Sequence, residues 1–394
     1  MREFKGKYCT DCKVYADYIE DAAIDIINEL VNNKIFEKQP IRIMPDVHAG
    51  KGSVIGFTAP LHNNTINPEF VGVDIGCTVS LYVLNIPVVK EDLPLIEHRI
   101  RKEIPFGFDI CEQRKYEMKD MIKFLKKEYN SAMASWDILP SVDLSEKGLD
   151  TTLKRINISP EKFYKSIGTV GGGNHFIEIG ENDEGNYVFT IHCGSRNFGA
   201  KVCEYWTTRC NEDKLLEGDD FVDYLSDMVI AQAYAKYNHK IIADTILDIF
   251  KKKYKKVKIV DEIMSVHNYI DMHDHIIRKG AIRSYKGEKM IIPFNMRDGL
   301  AVCVGKSNKE WNCSAPHGTG RKMSRTIAKR DLSLKEFQEQ MKDICTTSVC
   351  QTTLDEAPNA YKDKDEILNI IKDTCDILCF VKPIINLKDC GQKK

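Results

Sequence analysis

No apolar run in the chain approaches the ~18 to 20 residues that a membrane span requires. The N-terminal stretch MREFKGKYCTDCKVYADYIED also lacks the apolar centre of a signal peptide. Both absences point to a cytoplasmic protein with no membrane partner. An excess of one charge is missing too, because 57 lysines and arginines meet 58 aspartates and glutamates. That balance excludes nucleic-acid binding through a global positive field, so any such binding needs a local basic groove. The 14 cysteines lack the spacing of a small disulfide scaffold. Cys9 and Cys12 have no second pair to complete a zinc knuckle. In a reducing compartment these residues stay thiols, and most pack as small hydrophobes. Neither a linker nor an internal repeat interrupts the 394 residues, and a 43% hydrophobic content suffices for a large core.

What is present is a mixture of periods. Ile19, Ala22, Ala23, Ile26, Ile27, Leu30 and Val31 follow the three-four spacing of an amphipathic helix over 15–33. From Ile41 the pattern becomes short β-like runs broken by glycine, and Val79, Leu81 and Val83 alternate as in a half-buried strand. Residues 111–165 are charged and helical in pattern, and read as a peripheral insertion. NYVFTIHCGSR reads as a strand entering a turn. Over 219–250 a long helix is expected with Phe221, Tyr224, Leu225, Met228, Tyr234 and Ile241 on one side. Strands around IIPFN and LAVCVG, helices near 334–345 and 363–373, and a closing strand CFVKPIINLKD follow. This predicts an α+β fold in which residues 1–394 form a single large domain of mixed or antiparallel sheets flanked by helices. The run KKKYKKVK at 251–258 reads as a solvated helix end.

Five of the ten histidines stand in polar or glycine-rich turns suited to metal ligation: His48, His175, His192, His267 and His317. Asp74 and Cys77 in GVDIGC add a carboxylate and a thiol. Together they make a plausible two-metal site, since a thiolate bridges two divalent cations while imidazoles and a carboxylate complete the shells. These ligand types leave the metal open. Two phosphate-binding fingerprints fail. Gly50, Gly52 and Gly56 are spaced one residue too long for a dinucleotide turn, and five residues separate Gly299 from Gly305 where a P-loop needs four. A ligase-type KxDG lysine is also missing, because NMRDG has methionine at that position. His317 in SAPHGTGRKMSR is then the candidate nucleophile. Flanking glycine allows close backbone approach, and Arg321 and Arg325 can pair with phosphates.

The motifs MPDVHAGKGSVIG, VGVDIGC, GTVGGGNHFIEI, HCGSRNFG, RKGA, APHGTGR with MSR, and DEAPNAYKD occur in that order. From residue 44 to near the C-terminus the chain resembles the RtcB family of RNA ligases. The resemblance implies an enzyme that uses GTP and two Mn2+ ions to join an RNA 3′-phosphate or 2′,3′-cyclic phosphate to a 5′-hydroxyl end, in RNA repair or tRNA splicing. It implies that Cys77 bridges two metals, one also held by His192 and His267, the other by Asp74 and His175. His317 would carry GMP and Asp46 would orient it. Asn174, Glu178 and Lys388 would contact the nucleotide, and Arg196, Lys279 and Arg321 would meet phosphates of RNA or GTP. The family's archease is carried as a candidate partner. NMRDG stands where the family has a proline-glycine-serine-methionine-glycine turn that helps bind guanine. A two-metal phosphodiesterase or phosphatase acting on RNA ends without ligation is the alternative, and a non-catalytic RNA-end binder the third reading.

Overall fold

The computed structural model describes residues 1–136 and 142–391. Two β-sheets carry the site. A six-stranded sheet runs in the order Arg2–Phe4, Cys12–Val14, Ile41–His48, Ile55–Pro60, Ile276–Lys279, Asn268–Ile270. All its pairings are antiparallel except that of Cys12–Val14 with Ile41–His48. A seven-stranded antiparallel sheet runs Lys289–Asn295, Gly299–Gly305, Cys375–Leu387, Phe176–Asn182, Tyr187–Cys193, Thr78–Leu84, Ile259–Val266. A short ladder of Ala281–Arg283 with Ser314–Pro316 accompanies them. The mixed α+β architecture expected from the sequence is the one observed.

Register brings distant motifs to one end of the larger sheet. Thr78 pairs with both Cys193 and Val266, and Phe176 pairs with His192. Cys77, His175, His192 and His267 therefore fall on neighbouring strand ends, although up to 190 positions, counted as 267 minus 77, separate them. Alternation along these strands buries Val79 and Leu81 on one face, and Ile177, Ile179, Phe189 and Ile191 are buried in the same sheet. The strand ends are left free for polar residues.

The helix Gly218–Lys251 departs from its expected form. Rather than one apolar side, most of its circumference is buried, Asp227, Asn238 and His239 included. It is enclosed because the helices Met118–Met133 and Arg196–Thr207 pack on it and its C-terminal half meets the larger sheet. Asp227 is accommodated by Arg155 at 2.6 Å and the Trp206 indole N–H at 2.7 Å. The segment 111–165 contains the helices Met118–Met133, Glu146–Arg155 and Pro160–Lys165, whose Met121, Leu125, Leu149 and Phe163 join the largest apolar cluster. The first helix spans Asp21–Val31, shorter than expected, because Tyr15 continues the sheet through its N–H to Ile43 and stacks on Trp311 with ring centroids 3.8 Å apart.

The long helix ends at Lys251, and Lys251, Lys252 and Lys253 pair with Asp248, Glu103 and Asp92 on the surface, as the solvated-end reading expects. All 14 cysteines are free thiols, with Cys9 and Cys12 buried. Among the described residues no helix is long and apolar enough to cross a membrane.

Candidate active site

His317 follows directly on the strand Ser314–Pro316, which ends beside the strand Ile41–His48 that carries Asp46. The two side chains meet at 2.6 Å, His317 Nδ1 to Asp46 Oδ2. A carboxylate only accepts, so Nδ1 carries the hydrogen and donates it, leaving Nε2 with its lone pair. Asp46 is fully buried, and Gly320 and Gly56 pack where any side chain would strike its backbone or carboxylate. Both glycines have positive φ, +75° and +87°, so sterics and conformation alike call for glycine there.

Beside His317 lies a cluster of four strand-end residues and Asp74. Cys77 Sγ is 3.3 Å from His192 Nε2 and 3.4 Å from His175 Nε2. His192 Nε2 faces His267 Nε2 at 3.3 Å, and His175 Nε2 is 2.9 Å from Asp74 Oδ2. The His267 and His317 rings are 4.8 Å apart. Two triads result, Cys77–His192–His267 and Asp74–Cys77–His175, and they share the thiol. Burial pushes His192 and His267 well below the ordinary imidazole range, and neighbouring imidazoles add to the effect. Burial, then Asp74, pushes the Cys77 thiol well up. Burial raises the Asp74 carboxyl, but His175, Cys77 and His267 together outweigh it and the net shift is downward. Neutral imidazoles with nitrogens aimed at one another and at sulfur have too few hydrogens to satisfy every contact. Lone pairs converging in this way are the donor set that a divalent cation completes, and the residues fit two such ions.

On the other side of His317 is a cavity of about 120 Å³ lined by Asn174, Phe176, Glu178, Arg321, Arg325 and Lys388, among others. Lys388 donates to the Asn174 carbonyl at 3.0 Å and pairs with Glu356 at 2.9 Å. Asn386, paired in register with Glu178, donates to its Oε2 at 2.7 Å, while Glu178 Oε1 has no hydrogen-bond partner among the described residues. Burial pushes the Glu178 carboxyl up to about 8. The NMRDG segment forms the hairpin turn between Lys289–Asn295 and Gly299–Gly305, and its Asn295, Met296 and Gly299 line the same cavity. GLAVCVG is a strand, in keeping with rejection of a P-loop.

Two residues expected to meet phosphates, Lys279 and Arg196, lie outside the His317 cavity. Lys279 is buried, and its ammonium donates to the carbonyls of Lys51, Ser53 and Glu69, to the last two at 3.1 and 3.0 Å. Three acceptors occupy its three hydrogens, which turns it away from the His317 cavity. Arg196 is held by Thr169 Oγ1 at 3.0 Å and the Gly107 carbonyl at 2.6 Å, and lines a second cavity with Asp74 and His175. His48 stands outside both triads, with Nδ1 2.9 Å from the Asp46 carbonyl.

Sequence reasoning missed Glu356 and Asn386. Glu356 is buried and accepts from Tyr361 Oη at 2.5 Å, from Lys388, from Arg321 at 3.4 Å and from Arg325. It lies within the quoted motif DEAPNAYKD, yet only contact geometry identifies its cationic partners.

A family model described as tRNA-splicing ligase RtcB matches residues 31–389. The RNA-splicing ligase RtcB of Escherichia coli (strain K12) is 29% identical over 407 aligned residues, covering 93% of this chain and 94% of that protein. The tRNA-splicing ligase RtcB of Nanoarchaeum equitans is 27% identical over 399 residues, 83% of each. RNA-splicing ligase RtcB homolog 2 of Entamoeba dispar is 27% identical over 422 residues, covering 88% of this chain and 78% of its own. With nearly its whole length matched by the family model, and with the strand-end cluster just described, the chain belongs to the RtcB ligase family.

Proposed function

We propose that this RNA ligase of repair or splicing joins a 3′-phosphate or 2′,3′-cyclic phosphate RNA end to a 5′-hydroxyl end through GMP carried on His317. The observation that supports this most directly is the 2.6 Å contact of His317 Nδ1 with buried Asp46. With Nδ1–H held by the carboxylate, Nε2 is the free nucleophile, and Asp46 offsets the positive charge that the ring acquires. Nε2 forms a bond to the α-phosphorus of GTP, and the bond from that phosphorus to the bridging oxygen breaks, with pyrophosphate leaving. The RNA 3′-phosphate, after opening of any cyclic ester, then takes GMP from Nε2. Attack by the 5′-hydroxyl completes the phosphodiester, releases GMP and gives up the hydroxyl proton.

Cys77 with His192 and His267, and Cys77 with Asp74 and His175, would hold two manganese ions, which when bound supply charge neutralisation at the reacting phosphates. Asn174, Glu178 and Lys388 line the nucleotide side. The enclosed space of about 120 Å³ is below the ~300 Å³ of ordinary small-molecule sites, so it suits the base, with the phosphates extending toward His317. Arg321 stands at that edge. Free thiols throughout fit a reducing cytoplasmic setting, and an archease is the accessory partner to test.

The test is incubation of the manganese-loaded chain with each α-labelled nucleoside triphosphate, followed by mapping of the labelled residue. Label from GTP on His317, abolished in His317→Ala, is expected. A metal-loaded wild type that takes no label from any nucleotide sinks the reading. Opening of cyclic phosphates without GTP would then favour a two-metal phosphodiesterase.

A further inference from the structure

The ligand cluster is reached from two sides. His192 and His317 line the small cavity, whereas Asp74 and His175 line a second one of about 720 Å³, within the range of sites that hold sizeable ligands. At the mouth of this second cavity is an aromatic ring that none of the described residues covers. Phe108 is as exposed as in an extended peptide, and Val73, also exposed, lines the same cavity. A ring left in water gains no stabilisation from burial.

The turn that carries Phe108 is held firmly at its base. Asp109 N–H bonds the Phe106 carbonyl at 3.2 Å across the turn, and Gly107 has φ +65°, the left-handed region that suits glycine. Arg196 donates to the Gly107 carbonyl at 2.6 Å. A Cβ on Gly107 would stand 2.5 Å from Asp389, so the turn sits directly against the C-terminal segment. The exposed ring is thus presented by a braced support.

Between that ring and Asp74 the cavity carries two cations and an unmet polar atom. Arg196 and Lys162 line it together with the carboxylates of Asp74 and Asp389, and Asp74 is one of the proposed metal ligands. Arg196 is fixed through Nε and Nη2, and its Nη1 lies beside Gly171, where an added Cβ would come within 2.5 Å of Nη1 and 2.2 Å of His175 Nδ1. The space next to these two nitrogens exists because residue 171 has no side chain. His175 Nδ1 is buried and has no hydrogen-bond partner among the described residues.

Resting on the ligation reading above, we propose that this second cavity seats the phosphate-terminated end of a single-stranded RNA, with its last base stacked on Phe108 and its terminal phosphate drawn toward Arg196 and the Asp74–His175 side of the cluster. A flat ring serves any base, since every base has a π-face, and the fixed guanidinium supplies the anion contact. The nucleotide-bearing His317 and the strand it acts on then approach the cluster from opposite sides.

The test is direct binding. A short single-stranded RNA with a 3′-phosphate and 2-aminopurine as its last nucleotide is titrated with the manganese-loaded full chain in the absence of GTP, and fluorescence is followed. Wild type should quench the probe. Phe108→Ala should weaken binding by about 5- to 150-fold, the range for loss of one base–aromatic stack, and remove the quench. Phe108→Trp should keep both. Unchanged thermal unfolding of the alanine variant is the fold control, as suits an exposed position. Equal affinity of Phe108→Ala and wild type overturns the proposal. So does Phe108-dependent quenching only when the probe is the first nucleotide of a 5′-hydroxyl strand. The readout needs no nucleotide transfer. Quenching through Phe108 in a chain that takes no label at His317 would therefore cost the ligation reading and leave the subsite, and the reverse pair of results would cost the subsite alone.

Discussion

Two buried polar clusters flank His317, and they are built on opposite principles. Around Cys77 the groups facing one another are alike: imidazole nitrogens at 3.3 Å, a thiol shared by two histidines, and burial that keeps His192 and His267 neutral. Around Glu356 the groups are complementary: one carboxylate receives Lys388, Arg321, Arg325 and the Tyr361 hydroxyl. Burial would raise Glu356, yet these cations hold it down at about 2. The second cluster is complete as the chain folds. The first is completed only by something the chain does not encode, a cation. On the proposed function, the self-satisfied wall on one side of His317 would hold the nucleotide, and the unfinished ligand set on the other would leave its electrostatic gain to the metal-loaded state.

The harshest way to break this contrast is to remove the atom shared by both triads. Cys77→Ala should lower metal affinity by more than ~100-fold, since losing even a group that only supports a ligand costs 10- to 100-fold. Metal content measured by mass spectrometry should fall from two ions to one or none per chain, and labelling by GTP with it. Two ions retained in Cys77→Ala would show that the thiol is a bystander.

The same contrast predicts that Glu356→Gln damages folding and spares metal content. Gln keeps the shape but leaves Arg321 and Lys388 as cations in a buried site. Breaking a buried pair costs about 3 to 5 kcal/mol, and the lower end applies because Arg325 is 42% exposed and partly screened by water. Urea unfolding reads the loss. A change below about 1 kcal/mol would mean that water reaches the cations freely and that the wall is not self-contained.

How far the sequence disclosed these clusters follows from the same difference. Asp74, Cys77, His175, His192 and His267 stand in glycine-bounded motifs at strand ends, so residue type and local setting marked each of them, and β-register had only to align the ends. Glu356 and Asn386 carry no local mark. Glu356 gains its meaning from Lys388, 32 positions later, and Asn386 from a bulged strand that returns beside Glu178. Lys279 looks like a phosphate ligand in RKGA, but three backbone carbonyls surround it, and backbone direction is not written in side-chain type. Tyr15 stands at the start of the expected helix, yet it stacks on Trp311 ahead of the first helix, and Phe108, which no periodicity singles out, faces solvent. The burial of Gly218–Lys251 all round was hidden for a related reason: polar residues such as Asp227 and Asn238 have partners inside, so they do not mark an exposed side.

The finest test sets two glutamates of one wall against each other. Glu178 is as buried as Glu356, but its side-chain partner among the described residues is the neutral amide of Asn386, and Lys388 offsets burial only in part. Its carboxyl is therefore pushed up from 4.5 to about 8 in the folded chain. Below about pH 4.5 both folded and unfolded chains hold the proton and Glu178 contributes no pH dependence. As pH rises from there the unfolded chain releases its proton while the folded chain keeps it, so stability declines with pH until the folded group also ionises near 8, and is level above that. Relaxation of the site reduces the full effect to on the order of 2 kcal/mol. Glu178→Gln should remove this slope, so that wild type and variant, compared by urea unfolding at pH 5 and pH 8.5, diverge toward the alkaline end with the variant the more stable. A parallel pair of profiles would place water or a cation beside Glu178 Oε1. Saturating GTP sharpens the comparison further: a base that donates hydrogen bonds to Glu178 favours its ionised form, and the wild-type slope should then flatten toward that of the variant.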